Sequence, residues 1–144
     1  MQISENGIKF IKDVEGLKLE AYLCPASKWT IGYGHTGDVK KGDKITLNKA
    51  KQLLKQDLEP IEKELSRLTL NQNQYDALCS FIINIGLTNF RSSTMKKFLV
   101  EKKYDLAQTQ FQRWKYITQF GVKVVSTGLV NRRKKEEALF SKEE

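Results

Sequence analysis

The chain has 144 residues, of which 40% are hydrophobic and 29% charged, with 25 basic against 17 acidic side chains. This length suits one domain with one hydrophobic core, and the composition excludes a disordered chain. No apolar run approaches the roughly 18 to 20 residues of a membrane-spanning helix, and the polar N-terminus lacks the apolar stretch of a signal peptide. We therefore expect a protein that begins in a cytoplasm.

The net charge of +8 favours an anionic partner, such as nucleic acid, a lipid surface or an acidic polymer. Two cysteines, Cys24 and Cys79, are too few for a disulfide framework and lack the spacing of metal ligands. Together with the single histidine they predict no metal site, and the sequence indicates no organic cofactor.

The first part of the chain combines one helix with short strands. Ser4 can cap a helix that begins at about Glu5 and ends at Glu15, because Gly16 follows. Residues 17 to 45 are rich in glycine and contain short strand-like segments separated by turn signals. This pattern predicts a small antiparallel β-sheet.

A long linking helix is predicted next, over residues 46 to 68. Thr46 can cap it, and its apolar side chains keep helical spacing. Pro60 falls inside that pattern and predicts a kink or a break near Glu59, because proline lacks the N–H that a helix interior needs.

The rest of the chain, residues 71 to 141, is predicted to be mainly helical. Asn71 and Gln74 form a candidate capping box before a nearly all-apolar segment that ends at Gly86. Further helices are predicted over residues 93–100, 104–114 and 129–140. We therefore expect a single α+β domain, residues 1–144, in which the long helix joins a small antiparallel sheet lobe to a mainly helical lobe.

Glu15 interrupts the apolar face of the first predicted helix. At about 100° per residue it falls between Ile8 and Ile11, whereas the other charged side chains fall on the opposite face. A carboxyl group in this position is desolvated, which favours the protonated form that a general acid needs. The alternative is that Glu15 only ends the helix, where fraying lets it reach water.

The spacing Glu15–x8–Cys24–x5–Thr30, inside EGLKLEAYLCPASKWTIGYGHTG, resembles the active-site region of phage-type lysozymes, also called endolysins. The likeness continues through QYDALCSFIINIG, FRSST and GLVNRRKKEEALF, and so touches most of the chain. It implies a lysozyme-like fold that matches the predicted order of elements.

The resemblance also implies cleavage of the β-1,4 bond between N-acetylmuramic acid and N-acetylglucosamine in peptidoglycan, with Glu15 as the general acid. Cys24 and Thr30 then hold the attacking water or stabilise the cationic transition state. Most glycosidases use a second carboxylate where this chain has Cys24. A thiol can act as a nucleophile or place a water molecule, so retention or inversion at the anomeric carbon stays open.

Two further residues are expected to support the site. In the family an arginine at the start of the last helix lies against the catalytic glutamate, and Arg132 matches this position better than Arg133. Such a cation opposes the effect of desolvation on Glu15. For Arg133, a place on a solvated basic face is as well supported as a place in the site. His35 lies nearer the sheet, and a structural hydrogen-bonding role is favoured for it over a catalytic one. We hypothesise that His35 pairs with Asp57.

Asn84 lies inside the nearly all-apolar helix. It either contacts sugar or satisfies backbone groups near the helix end, and the second interpretation is favoured.

The resemblance implies a peptidoglycan glycan strand as the partner, and a monomer that does not act on nucleic acid. It also implies accumulation in the host cytoplasm and release to the periplasm and cell wall through a holin-type membrane pore. Two other classes stay open as alternatives: a nucleic-acid-binding module and a membrane-disrupting C-terminal helix. The first lacks a helix-turn-helix or RNA-binding signature, and the second has little apolar content. Both alternatives predict a function that does not depend on Glu15.

Overall fold

The computed structural model describes residues 1–143, so the last residue of the predicted domain, 144, lies outside the described part. The first helix, α1 (Glu5–Glu15), has the predicted bounds. The Ser4 hydroxyl accepts a hydrogen bond from the Gly7 N–H at 3.0 Å, and Gly16 follows the helix at φ +71°. The cap satisfies one of the unpaired N–H groups of the first turn, and the glycine lets the chain turn towards the sheet.

Two strands follow α1 and form the predicted antiparallel sheet of the β lobe. β1 (Lys18–Leu23) pairs with β2 (Trp29–Gly32), and Tyr22 lies opposite Thr30. Cys24 comes directly after β1, so this pairing brings it to the same end of the sheet as Thr30.

The long helix α2 (Leu47–Leu65) links the β lobe to the helical lobe, and the Thr46 side chain caps it. Of the predicted kink or break, the break is wrong, because the helix continues through Pro60. The helix ends three residues earlier than predicted. Pro60 lies on the exposed face, where water can reach the carbonyl that lacks an N–H partner, whereas Leu58 and Ile61 pack in the core on either side.

The helical lobe is built around α3 (Gln72–Ile85), which begins with the predicted capping box of Asn71 and Gln74. α1, α2 and α7 all pack against α3, so α1 belongs by its contacts to the helical lobe although it precedes the sheet in sequence. The other helices of this lobe are α4 (Leu87–Arg91), α5 (Thr94–Val100), α6 (Tyr104–Gln108) and α7 (Thr127–Ser141).

The helix predicted over residues 104–114 is interrupted after its first half. α6 ends at Gln108, and a 3₁₀ turn, Phe111–Arg113, follows. The Thr109 hydroxyl donates a hydrogen bond to the Leu106 carbonyl at 2.6 Å, which satisfies an oxygen that a continuing α-helix would use.

A second antiparallel hairpin, which was not predicted from the sequence, precedes α7. β3 (Tyr116–Gln119) and β4 (Val122–Val125) are joined by Phe120 at φ +50° and Gly121 at φ +76°. The Phe120 side chain is fully exposed at this turn. Within residues 1–143 we find no helix whose length and apolar character would let it cross a membrane.

Candidate active site

A cleft of about 1050 Å³ lies between the two lobes. The end of α1, the β1–β2 hairpin, the β3–β4 hairpin and the start of α7 all contribute to its lining. Four residues predicted from the sequence line it together: Glu15, Cys24, Thr30 and Arg132. Within residues 1–143, no three His, Cys, Asp or Glu side chains are grouped as ligands for a metal ion would be.

Glu15 is held by Arg132, as the family resemblance implies. The Arg132 Nη1 group donates to Glu15 Oε1 at 2.5 Å, and the two side chains are only 9% and 14% exposed. The backbone of Gly34 lies against the same carboxyl group, since a Cβ atom at this residue would be 2.8 Å from Glu15 Cδ. The carboxyl group therefore has one cationic hydrogen-bond donor, lies against the Gly34 backbone and still faces the cleft.

Arg132 is itself held by groups deeper in the helical lobe. Its Nε group donates to Glu136 Oε2 at 3.1 Å, and its Nη2 group donates to the Ser80 carbonyl at 2.9 Å. The Ser80 hydroxyl donates to the same Glu136 oxygen at 2.5 Å. These contacts use the fork of the guanidinium group on three sides and fix its orientation.

Arg133 does not lie on a solvated face. It is fully buried, its Nε group lies 3.0 Å from Glu136 Oε1, and its guanidinium group stacks 5.0 Å above the ring of Phe81. Its Nη2 group donates to Asn84 Oδ1 at 2.5 Å, so the favoured interpretation of Asn84 as a backbone-satisfying residue is wrong. An oxygen acceptor beside a buried guanidinium group offsets part of its desolvation cost.

Cys24 and Thr30 lie on the β-lobe side of the cleft. Burial raises the pKa of the Cys24 thiol, but hydrogen bonds from the backbone at Lys28 and from the Thr30 side chain, with others nearby, outweigh it and leave the pKa lowered. The Thr30 hydroxyl also lies 3.0 Å from the Lys28 carbonyl oxygen. Since a hydroxyl has one proton, Thr30 can donate it either to that carbonyl or to a Cys24 thiolate.

The predicted pair of His35 and Asp57 is present in the structure. The Nδ1 atom of His35 lies 2.8 Å from Asp57 Oδ2, and its Nε2 atom lies 2.8 Å from the Gly37 carbonyl oxygen. Both partners are oxygen acceptors, so both contacts are hydrogen bonds when both ring nitrogens carry protons. His35 fastens the segment after β2 to α2 and is not part of the cleft lining.

One wall of the cleft, supplied by the β3–β4 hairpin, was not predicted from the sequence. Tyr116, Thr118 and Lys123 from this hairpin line the cleft, and the Nζ atom of Lys123 lies 5.2 Å from the centre of the Tyr116 ring. The alternating β-branched residues of YITQFGVKVV, with Gly121 in the middle, are the signal that identifies such a hairpin.

Comparisons with known proteins agree with this fold. The phage lysozyme family model matches residues 12–136. The endolysin of Acyrthosiphon pisum secondary endosymbiont phage 1 is 43% identical over 143 residues, which cover 97% of this chain and 98% of that protein.

Solved structures of two related proteins also match this fold. The muramidase domain of SpmX from Asticaccaulis excentricus is 35% identical, with a TM-score of 0.87 and coverage of 99% of both chains. The endolysin from Escherichia coli O157:H7 phage FAHEc1 is 38% identical, with a TM-score of 0.87 and coverage of 98% of this chain and 94% of that one. The chain therefore has the α+β lysozyme-like fold and belongs to the phage lysozyme family of peptidoglycan-degrading glycoside hydrolases.

Proposed function

We propose that this lysozyme hydrolyses the β-1,4 bond between N-acetylmuramic acid and N-acetylglucosamine, with Glu15 as the general acid. The observation that carries the proposal is the enclosed Glu15 carboxyl group, held by Arg132 inside a cleft large enough for a glycan strand. In residues 1–143 the hydrogen bond from Arg132 goes to Oε1, which leaves Oε2 to give a proton to the leaving glycosidic oxygen.

Cys24 and Thr30 act on the other side of the sugar in this proposal. The Thr30 hydroxyl donates a hydrogen bond to an attacking water molecule or accepts one from it. Cys24 either places that water or stabilises the developing positive charge of the sugar ring. The lowered pKa of Cys24 makes the thiolate form more accessible than for an ordinary thiol, and a thiolate stabilises a neighbouring cation.

The test compares the unaltered protein with Glu15→Gln in the clearing of outer-membrane-permeabilised Gram-negative cells. Glutamine keeps the shape of the side chain but has no acidic proton, so we expect a folded variant without activity. Glu20→Gln is the matched control, because Glu20 is an exposed carboxylate on β1 and should be dispensable. If the Glu15 variant clears the cells as well as the unaltered protein, membrane disruption replaces glycoside hydrolysis as the explanation.

The bond is identified by digesting purified peptidoglycan and reducing the new chain ends with borohydride. Cleavage after N-acetylmuramic acid gives reduced muramic acid ends, whereas cleavage after N-acetylglucosamine gives reduced glucosamine ends. Proton NMR of the first product, recorded before mutarotation, shows whether the anomeric configuration is retained or inverted. Glucosamine ends would contradict the proposed bond and leave the assignment of Glu15 as the acid intact.

We further propose that the protein is a monomer that lyses its host after release from the cytoplasm through a holin-type pore. The similarity to an endolysin supports this role in lysis. Expression in the cytoplasm should leave the cells intact until a membrane pore is induced, and light scattering should give a mass of about 16.6 kDa. Lysis without an induced pore would contradict the proposed route, and a doubled mass would contradict the monomer.

A further inference from the structure

A second carboxylate, Glu136, lies behind the Glu15–Arg132 pair and shares the same arginine. Glu136 is fully buried, and its Oε2 atom accepts hydrogen bonds from Arg132 Nε at 3.1 Å and from the Ser80 hydroxyl at 2.5 Å. Its Oε1 atom lies 3.0 Å from Arg133 Nε. Arg132 thus bridges two carboxyl groups, one in the cleft and one in the core.

The charge balance explains why a buried carboxylate is useful here. Arg132 and Arg133 are both cations at neutral pH, although burial lowers the pKa of Arg133 to about 10. Burial raises the pKa of Glu136, whereas Arg133, Arg132 and the Ser80 hydroxyl act in the opposite direction. In the charged form, which its contacts with the two guanidinium groups at 3.1 and 3.0 Å favour, Glu136 leaves the group behind Glu15 with one net positive charge. Without Glu136 that group carries two. A stronger positive potential at Glu15 favours its carboxylate form, which has no proton to donate.

We propose that Glu136 is a positioning residue that orients Arg132 and offsets its charge. Arg132 can then hold the Glu15 carboxyl group in place without forcing it to ionise. This inference rests on the proposed role of Glu15 as the general acid. The Ser80 hydroxyl supports the arrangement, because a hydrogen bond donated to the Glu136 carboxylate favours its charged form and opposes the effect of burial.

Other titratable groups face Glu15 from the β lobe and are common to every variant in the test. Burial, followed by the proximity of Glu15 and Cys24, raises the pKa of Tyr22, which therefore stays neutral over the working range. Cys24 ionises more readily than an ordinary thiol and adds negative charge at high pH. Since these groups are unchanged, a difference between the variants reports on the substituted residue.

The experiment measures kcat/KM on solubilised peptidoglycan as a function of pH for Glu136→Gln. We expect the alkaline limb of the profile to move to lower pH by on the order of one unit, because the net positive charge behind the catalytic carboxyl group rises from one to two. Glu136→Asp keeps the charge, so its alkaline limb should stay in place even if its maximum rate falls. An unmoved alkaline limb in folded Glu136→Gln would overturn the inference.

Glu64→Gln is the matched control for a merely structural effect. Glu64 is also a buried carboxylate surrounded by cations, with Lys96 at 2.8 Å and Arg91 at 3.4 Å, but it does not line the cleft. Its loss should lower the melting temperature and leave the pH profile unchanged. If Glu64→Gln moves the alkaline limb as far as Glu136→Gln does, general destabilisation explains the shift and the inference fails.

Ser80→Ala tests the same idea if Glu136→Gln does not fold. Removing the hydroxyl makes Glu136 easier to protonate, so the alkaline limb should move in the same direction by a smaller amount. An unchanged profile would overturn the inference in that case. Failure of the proposed function itself would look different, because Glu15→Gln would then retain activity.

Discussion

Replacing Gly34 by alanine should greatly lower the catalytic rate and only modestly lower the stability of the fold. Gly34 has φ +80°, and an added Cβ atom would lie 2.8 Å from Glu15 Cδ. Ordinary contact begins at 3.4 Å, so the Glu15 carboxyl group must retreat by about 0.6 Å or more. That displacement also lengthens or breaks the hydrogen bond from Arg132.

The expected size of both effects follows from this geometry. A displacement of about 1 Å at a catalytic group costs on the order of 100-fold in rate. The left-handed backbone conformation costs alanine about 1–2 kcal/mol, which lowers the melting temperature of a chain of this length by roughly 2 to 8 °C. Turbidity clearing measures the first effect, and thermal unfolding followed by circular dichroism measures the second.

Gly42→Ala separates the effect of backbone strain from the effect of displacing the Glu15 carboxyl group. Gly42 has φ +89° in the same lobe, but its added Cβ atom would meet nothing within 4 Å. This variant should lose a similar amount of stability and keep its activity. If Gly34→Ala and Gly42→Ala have equal activity, the close approach of Gly34 to Glu15 does not position the carboxyl group, and the reasoning is refuted.

Three further variants or measurements test other parts of the structure. Asp57→Asn should lower the melting temperature by about 2–4 °C, equivalent to about 1 kcal/mol, and an unchanged value contradicts the proposed fastening of α2. A hydrogen bond from Lys96 outweighs burial and lowers the pKa of Glu64 below its usual 4.5. Its contribution is therefore complete above pH 4.5 and is lost as the pH falls through the folded value, so Glu64→Gln and the unaltered protein should converge in stability in acid. Iodoacetamide should label Cys24 before Cys79, because burial raises the pKa of Cys79 far above its usual range. Equal labelling in peptide mass spectrometry would contradict that difference.

The parts of the fold that were predictable depend on local signals. Ser4 and the pair Asn71 and Gln74 are short capping patterns whose partners lie three residues away, so the sequence alone contains the interaction. The contact of Glu15 with Arg132 was accessible only through the family resemblance, because 117 residues separate the two side chains.

The parts that were missed depend on tertiary context or on ambiguous periodicity. Pro60 is tolerated inside α2 because the packing of the opposite face outweighs one lost hydrogen bond. The β3–β4 hairpin turns at Phe120 and Gly121 rather than at a common Asn-Gly pair, so its turn signal is weak. Arg133 was not recognised as buried because Phe81 and Asn84, which cover its guanidinium group, lie on α3, about 50 residues earlier in the chain.

The separation of Glu15 from Arg132 has a consequence for the order in which the protein is made. At about 5–20 residues per second, the ribosome needs roughly 6 to 23 s to add the 117 residues between them. For most of that time the growing chain already contains Glu15, Cys24 and Thr30, but the arginine that holds the acid does not yet exist. Translation that stops before α7 therefore releases a chain with an unsupported carboxyl group, and the complete site forms only near the end of synthesis.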